Sequence, residues 1–493
     1  MVNTERQTVK GEQFPYIWHK SKTTTNLKPK KIFILLPDGV GLRNFAFTSF
    51  VEIGEKMGWE VVFWNQTPFD LTKLGYKEIK LEGKPRAYTD LLKRAKISAE
   101  LDYFEEKFND KVYQTYKFPS SNKNIKSKIK NAIVTQLTKT YQGEEGLQKL
   151  REKLKDSERK SVFYQNCKAV LEREKPDFIF CTNQRPVHAI APLTAAQDLG
   201  IPTSTFIFSW DNLPKATMVV EPDFYFVWSE YMKEELLNYY PFINSDNIFI
   251  TGSPQFEPHF NLKLRKTREE FFEENNLDLT REYICFSGDD KTTSPDDAHY
   301  LQDIAEAIES LNKNGKTKLG IIFRRCPVDF SDRYKPVLEK HKDLIVPVAP
   351  KWEQVGRSWN AVIPTREDLQ LQINTILHTK AVVNLGSSMV FDFAVFDKPC
   401  LFLHYNVEHK EDENWTPEKV YNFVHFRSMP TGKEVFWLKS KEEIGLNLET
   451  ALENSHNTVE EAKEWFEKIN ISPAENASVR IWVAIDKIAE KCT

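Results

Sequence analysis

The stretch AVVNLGSSMVFDFAVFDKP, residues 381–399, decides how the rest of the chain is read. AVVNL is a continuous apolar run, the pattern of a strand buried on both faces of a parallel sheet. Gly386 ends it and permits a tight turn. SSMVFDFAVF (387–396) reads as a helix, and PCLFLHY (399–405) returns as a strand. Strand, turn, helix and strand make one βαβ unit. Its turn brings together free backbone N–H groups, the positive end of a helix dipole and the hydroxyls of Ser387 and Ser388, a combination suited to a diphosphate. Asp392 lies one helical turn past Ser388 on the same face, where a carboxylate can hold the hydroxyls of a ribose.

The same rhythm extends outward in both directions. YICFSGDD (283–290), KLGIIFRR (318–325) and LIVPVA (344–349) are strands, and LQDIAEAIESL (301–311) is a helix with one apolar side. Thr365 and Asp368 form a capping-box pattern ahead of a further helix. Near the start, KIFILLPDGVG (31–41) is a buried strand running into an Asp-Gly loop, followed by a helix closed at Gly58 and the strand EVVFW (60–64). Residues 70–175 are charged and helical without clear strands, which predicts a helical insertion. DFIFC (177–181), TSTFIF (203–208), DFYFVW (223–228) and NIFITGSP (247–254) then continue the strand series. The reading is α/β: two Rossmann-like domains facing across a cleft. The expected organisation is a loose arm at 1–30, a first domain at 31–260 with its insertion, a second domain at 261–440, and C-terminal helices at 441–493.

A length of 493 residues suits two such domains of about 200–250 residues each. A net charge of −3 argues against a general nucleic-acid binder. No apolar run approaches the roughly 20 residues of a membrane span, and the polar N-terminus has no signal-peptide core. The six Cys are widely spaced with no CxxC pair, which suits free thiols in a reducing compartment. The expected location is the cytoplasm, with access to the inner face of the cell membrane.

Three segments carry a family resemblance. SSMVFDFAVFDKPCLF resembles the region after the Ser-Ser pair in bacterial CDP-glycerol glycerophosphotransferases and related surface-carbohydrate transferases. FSWDNLPKATMVVEPDFYFVWSEYMKEELLNYY, followed by NIFITGSPQFE, resembles a segment of GT-B surface-carbohydrate biosynthesis proteins, in which Trp-Asp-Asn sits near the cleft. LLPDGVGLRNF resembles their first βα loop. The resemblance covers residues 31–64 and 177–405 and implies the GT-B fold, with the donor's nucleotide diphosphate in the second domain. There is one departure: where the glycerophosphotransferases carry His-Pro after an Arg, FRRCPVD places Cys326. That favours a sugar-nucleotide donor over a CDP-polyol.

The candidate residues follow from this frame. The expected donor site comprises Gly386, Ser387, Ser388 and Asp392, with Arg324 and Arg325 to neutralise phosphate. Ser287 and Gly288 are expected to offer backbone N–H groups, and Lys291 charge. A base must deprotonate the acceptor hydroxyl. Asp38 is the first candidate, at a strand's carboxyl end where open α/β sheets place their ligands; Asp211 is the second and His188 the third. Arg185 is positioned to grip an anionic acceptor, and Trp210, beside Asn212, to stack on a sugar. The expected activity is metal-independent sugar transfer, without a cofactor, from a nucleotide-sugar to a surface glycan or lipid-linked acceptor. The alternatives are CDP-glycerol or ribitol-type transfer, a UDP-sugar 2-epimerase, and a non-catalytic GT-B-like subunit. Finally, SNKNIKSKIKNAIVTQLTKT (121–140) holds five Lys and no acid, with an apolar helical face, the pattern of a peripheral membrane contact.

Overall fold

The computed structural model describes residues 29–117, 124–315, 318–354 and 362–491. Most of the expected N-terminal arm, the start of the Lys-rich stretch and Cys492 lie outside them.

The first sheet has seven strands: β1 (Lys31–Leu36), β2 (Glu60–Asn65), β3 (Lys77–Lys80), β4 (Phe178–Cys181), β5 (Thr203–Phe206), β6 (Phe224–Val227) and β7 (Ile248–Ile250). Their order is β3-β2-β1-β4-β5-β6-β7, every pair parallel. The second sheet has six: β8 (Glu282–Ser287), β9 (Leu319–Arg324) and β10 (Ile345–Pro347), then, past a short β11–β12 hairpin (Glu353–Gln354, Val362–Ile363), β13 (Val382–Asn384), β14 (Cys400–Leu403) and β15 (Phe436–Leu438). Its order, β10-β9-β8-β13-β14-β15, repeats that of the first sheet. In each sheet the chain begins at a central strand, winds outward to one edge, returns to the centre and winds to the other. This is the doubly wound order, with its switch point beside the first strand of each half. Strands β1, β4, β13 and β14 are buried almost throughout and mostly apolar because helices cover both faces of both sheets.

Besides the short β11–β12 pair, two strands of the main sheets depart from the sequence reading. β3 is KEIK, polar and largely exposed at a sheet edge, so it carries no apolar signal, and the helical insertion begins only after it. β15 is a three-residue edge strand in a stretch that has no strand-like periodicity. The predicted helix at 387–396 is shorter, Met389–Ala394.

The C-terminal helices return to the first half. Helix Ala477–Lys491 packs on helix Phe50–Lys56 through Trp482, which is fully buried. Its ring lies 5.0 Å from Phe50 and 6.0 Å from Trp59, and its Nε1–H donates to the Phe50 carbonyl at 2.7 Å. A Cβ added to Gly54 would sit 2.1 Å from this indole, so only glycine admits it. Trp482→Ala is expected to lower stability by about 3–5 kcal/mol, read by urea denaturation. A loss under about 1 kcal/mol would contradict the role given to this contact.

Candidate active site

The carboxyl ends of the two sheets face each other. Gly39, after β1, approaches the Ile363 side chain of β12. Trp210, after β5, meets Phe391, after β13, at 5.2 Å between ring centroids. The Tyr116 hydroxyl accepts the Val424 N–H at 2.8 Å, and Arg366 donates to the Ala46 carbonyl at 3.2 Å. Loops at strand carboxyl ends are where such sheets place their chemistry.

In the first half, Asp38 directly follows the β1 run. Its Oδ1 accepts the Val40 N–H at 3.2 Å, and its Oδ2 accepts Asn183 Nδ2 at 2.9 Å. Asn183 follows β4, and its Oδ1 caps the Arg185 N–H at 3.1 Å. Arg185 and Lys93, from helix Ala87–Phe108, both lie close enough to act on the Asp38 charge. Burial raises the Asp38 carboxyl above its ordinary value, against the lowering effect of Asn183, Val40, Arg185 and Lys93. Burial and the Arg185 charge lower the Lys93 ammonium, while Asp90 and Asp38 raise it. Burial and the Lys93 and Lys84 charges also lower His188. Among the described residues, neither the Lys93 ammonium nor the Arg185 guanidinium makes a hydrogen bond or a close ion pair. The result is a half-buried carboxylate between two unpaired cations, with a neutral imidazole nearby. Such a group can accept a proton, and the cations can hold an anion beside it. The structure thus brings together Asp38 and Arg185, with His188 linked to them only through the shared neighbour Lys93. Sequence reasoning missed Asn183 and Lys93. Asn183 had a detectable signal, since it stands just past a strand end; Lys93 sits mid-helix among other lysines and had none.

Asp211 is placed differently. Although burial pushes its carboxyl up, the Lys215 ammonium, with which it forms an ion pair, holds it well below the carboxylate range. Asn212 donates to its other oxygen at 2.9 Å. This saturated carboxylate is a poor base. Trp210 is only 5% exposed. Its ring is packed edge-on by His425, Phe426 and Trp465 as well as Phe391, so it has no free face for a sugar.

In the second half, Gly386 has φ of +68°, and a Cβ there would meet Phe426 at 2.8 Å, so the turn requires glycine twice over. Ser387 is half-buried and Ser388 exposed; the Ser387 N–H is taken by Asn384 Oδ1 at 2.8 Å. Asp392 is turned inward rather than toward a ribose: it is 6% exposed, and its Oδ1 lies 2.8 Å from Nε2 of the fully buried His259. The loop after β8 is also not the expected phosphate cradle. The Gly288 N–H is spent on the Arg324 carbonyl at 2.8 Å and the Asp289 N–H on Asp297 Oδ2 at 3.0 Å. Burial raises the carboxyls of both Asp289 and Asp297, that of Asp297 to about 6, and Tyr334, Ser294 and Arg333 surround them. Ser287 ends β8, and Lys291 stands exposed beyond it. Arg324 pairs with Asp368 at 3.1 Å and Arg325 donates to the Ser331 carbonyl at 2.5 Å, while Arg324 Nη1 and Arg325 Nε are buried without a hydrogen-bond partner among the described residues. Among the described residues, no group of three or more His, Cys, Asp or Glu side chains is arranged to hold a metal ion, and no helix is long and apolar enough to cross a membrane.

No protein-family model and no curated protein matches the sequence. Among solved structures the chain is similar to a candidate UDP-N-acetylglucosamine 2-epimerase from Listeria monocytogenes, at 11% identity and a TM-score of 0.53 over 94% of this chain and 97% of that one. It is also similar to a glycosyltransferase from Rickettsia africae, at 10% identity and a TM-score of 0.51 over 95% of this chain and 100% of that one. At these identities the likeness is one of fold. The chain has the GT-B fold, and the likeness does not single out the CDP-glycerol glycerophosphotransferases.

The site description is testable without a substrate. Carbon-13 NMR of the Asp38 carboxyl should titrate above the ordinary value of about 3.9. Arg185→Met removes a charge that favours the ionised form, so the midpoint should rise further. A midpoint at or below the ordinary value, or one unmoved by Arg185→Met, would contradict the arrangement.

Proposed function

We propose that the chain is a GT-B glycosyltransferase that moves a sugar from a nucleotide-sugar to a surface-glycan or lipid-linked acceptor, without a metal. The observation that carries this reading is Asp38: a carboxylate raised by burial, at the carboxyl end of the first strand, between unpaired Lys93 and Arg185. In the proposed reaction Asp38 takes the proton of the acceptor hydroxyl. The acceptor oxygen bonds to the anomeric carbon as the bond from that carbon to the diphosphate oxygen breaks. Lys93 and Arg185 hold an anionic group of the acceptor. The departing nucleoside diphosphate is received at the Gly386-Ser387-Ser388 turn, where hydroxyls and a backbone N–H meet its charge. Because Asp392 is held against His259 and Arg324 against Asp368, the reading rests the donor's recognition first on this turn. Closure of the two halves excludes water and limits donor hydrolysis.

Calorimetric titration with UDP, GDP, CDP and ADP tests the donor end. One of them should bind, and Ser387→Ala with Ser388→Ala should weaken it by about tenfold or more, the worth of hydrogen bonds to a charged group. Unchanged affinity in the double variant, or no binding across the panel, removes the donor assignment. Asp38→Asn should keep nucleotide affinity and lose about 10²–10⁴ of the transfer rate. Full-rate conversion of a UDP-sugar with no acceptor present would instead make the chain an epimerase.

A further inference from the structure

Helix Ile125–Thr140 lies in the insertion of the first half, against helix Ala87–Phe108. One face docks. Thr138 is buried, with its hydroxyl directed at the Ala95 carbonyl, and Asn131 accepts Arg94 Nη2 at 2.7 Å. Val134 and Leu137 are partly covered on the same side. The amphipathic pattern in the sequence leads one to expect the isoleucines on that docked face. They are on the other. Ile125 is 76% exposed, Ile129 55% and Ile133 38%, with Ala132 also exposed. At 3.6 residues per turn these positions form one stripe almost diametrically opposite Asn131 and Thr138. Lys126 and Lys130 run along one flank of the stripe, Lys128 and Lys139 along the other. There is no acid between 121 and 140, and Glu144 and Glu145 open only the next helix. A reciprocal cap between Asn124 and Ser127, at 2.8 and 3.1 Å, closes the helix start, so the stripe belongs to a formed helix rather than a fraying end.

We propose that this helix docks the protein on an anionic lipid bilayer, with Ile125, Ile129 and Ile133 in the acyl boundary and the flanking lysines at the headgroups. An apolar stripe bordered on both sides by lysines matches the depth profile of a bilayer interface: the aliphatic stems follow the apolar stripe and the ammonium groups reach the phosphates. A second copy of the chain is a poor occupant, because an isologous contact would set these lysines against their own kind with no acid in the stretch to pair them. The docked face rests on the helix that carries Lys93. The inference goes beyond the transfer reading, and its test reads binding rather than turnover.

The full chain is floated with vesicles of phosphatidylglycerol and phosphatidylcholine, and with vesicles of phosphatidylcholine alone. Binding to the anionic vesicles is expected, with release at about 0.5 M salt as charges are screened. Ile125→Ser with Ile129→Ser, and separately Lys126→Glu with Lys130→Glu, should each weaken binding by about tenfold or more, while the melting temperature stays at the wild-type value because all four side chains are exposed. Equal binding by wild type and both variants would overturn the proposal. So would absence of binding to anionic vesicles, or a dimer in light scattering that Ile129→Ser dissolves. Because nucleotide affinity is measured separately, a failure here leaves the donor site standing, and the reverse also holds.

Discussion

The structure depends on how Trp210 is held. This side chain follows β5 in the first half, and its ring is enclosed by Phe391 and Phe426 of the second half, His425, and Trp465 of the C-terminal helices, at centroid distances of 4.6–6.1 Å. Edge-on aromatic packing of this kind is directional as well as apolar. The loop that presents the ring is itself fixed. Gln184 donates to Asn212 at 3.0 Å and accepts the Phe208 N–H at 3.1 Å, and Asp211 pairs with Lys215. Trp210 therefore acts as a wedge that sets the two sheets with their carboxyl ends face to face. Helix Ala477–Lys491, crossing back onto the first half through Trp482, ties the same two parts together from behind.

That arrangement explains why the charges divide as they do. Several carboxylates and cations that hold loops in place are paired: Asp211 with Lys215, Arg324 with Asp368, Asp297 against Arg333 and Tyr334, Asp392 against His259. At the ends of β1 and β4, Lys93 and Arg185 act on the Asp38 charge without a hydrogen bond or close ion pair of their own among the described residues. A desolvated cation without a close partner is costly unless something anionic is to be bound there, which is the reason to take this cluster as the candidate site. His425 fits the same division: burial lowers its imidazole to about 3, leaving it a neutral ring in the Trp210 packing.

Much of the architecture was legible in the sequence because buried parallel strands announce themselves. KIFILL after its first residue, FIFC and CLFL are apolar, and the turns after them carry the small or polar residues that strand ends need. KEIK was not legible because an exposed edge strand carries little apolar signal, and FWL because three residues are too few to show a period. The site was legible in part. Asp38, Arg185 and His188 stand just past strand ends, and topology alone brings such positions together. Lys93 reaches them from a helix more than 50 residues along the chain from Asp38, a proximity that no local pattern encodes. Trp210 and Asp392 were misread for the complementary reason: a Trp or an Asp beside a strand end looks available until the second half is laid over it. The stripe Ile125–Ile129–Ile133 shows the converse, an apolar face that periodicity assigns to the core and packing leaves outside.

The central claim is that one cleft carries both a diphosphate at the Gly386-Ser388 turn and the proton acceptor Asp38. A crystal structure of the chain with its nucleotide-sugar, or a non-hydrolysable analogue, tests this most directly. The account predicts diphosphate oxygens about 3 Å from the Ser387 or Ser388 hydroxyl or the Ser388 amide, and an anomeric carbon that faces the Asp38 carboxylate with room for one acceptor hydroxyl between them. A diphosphate seated on other residues, or an Asp38 carboxylate separated from the anomeric carbon by intervening side chains, would contradict it.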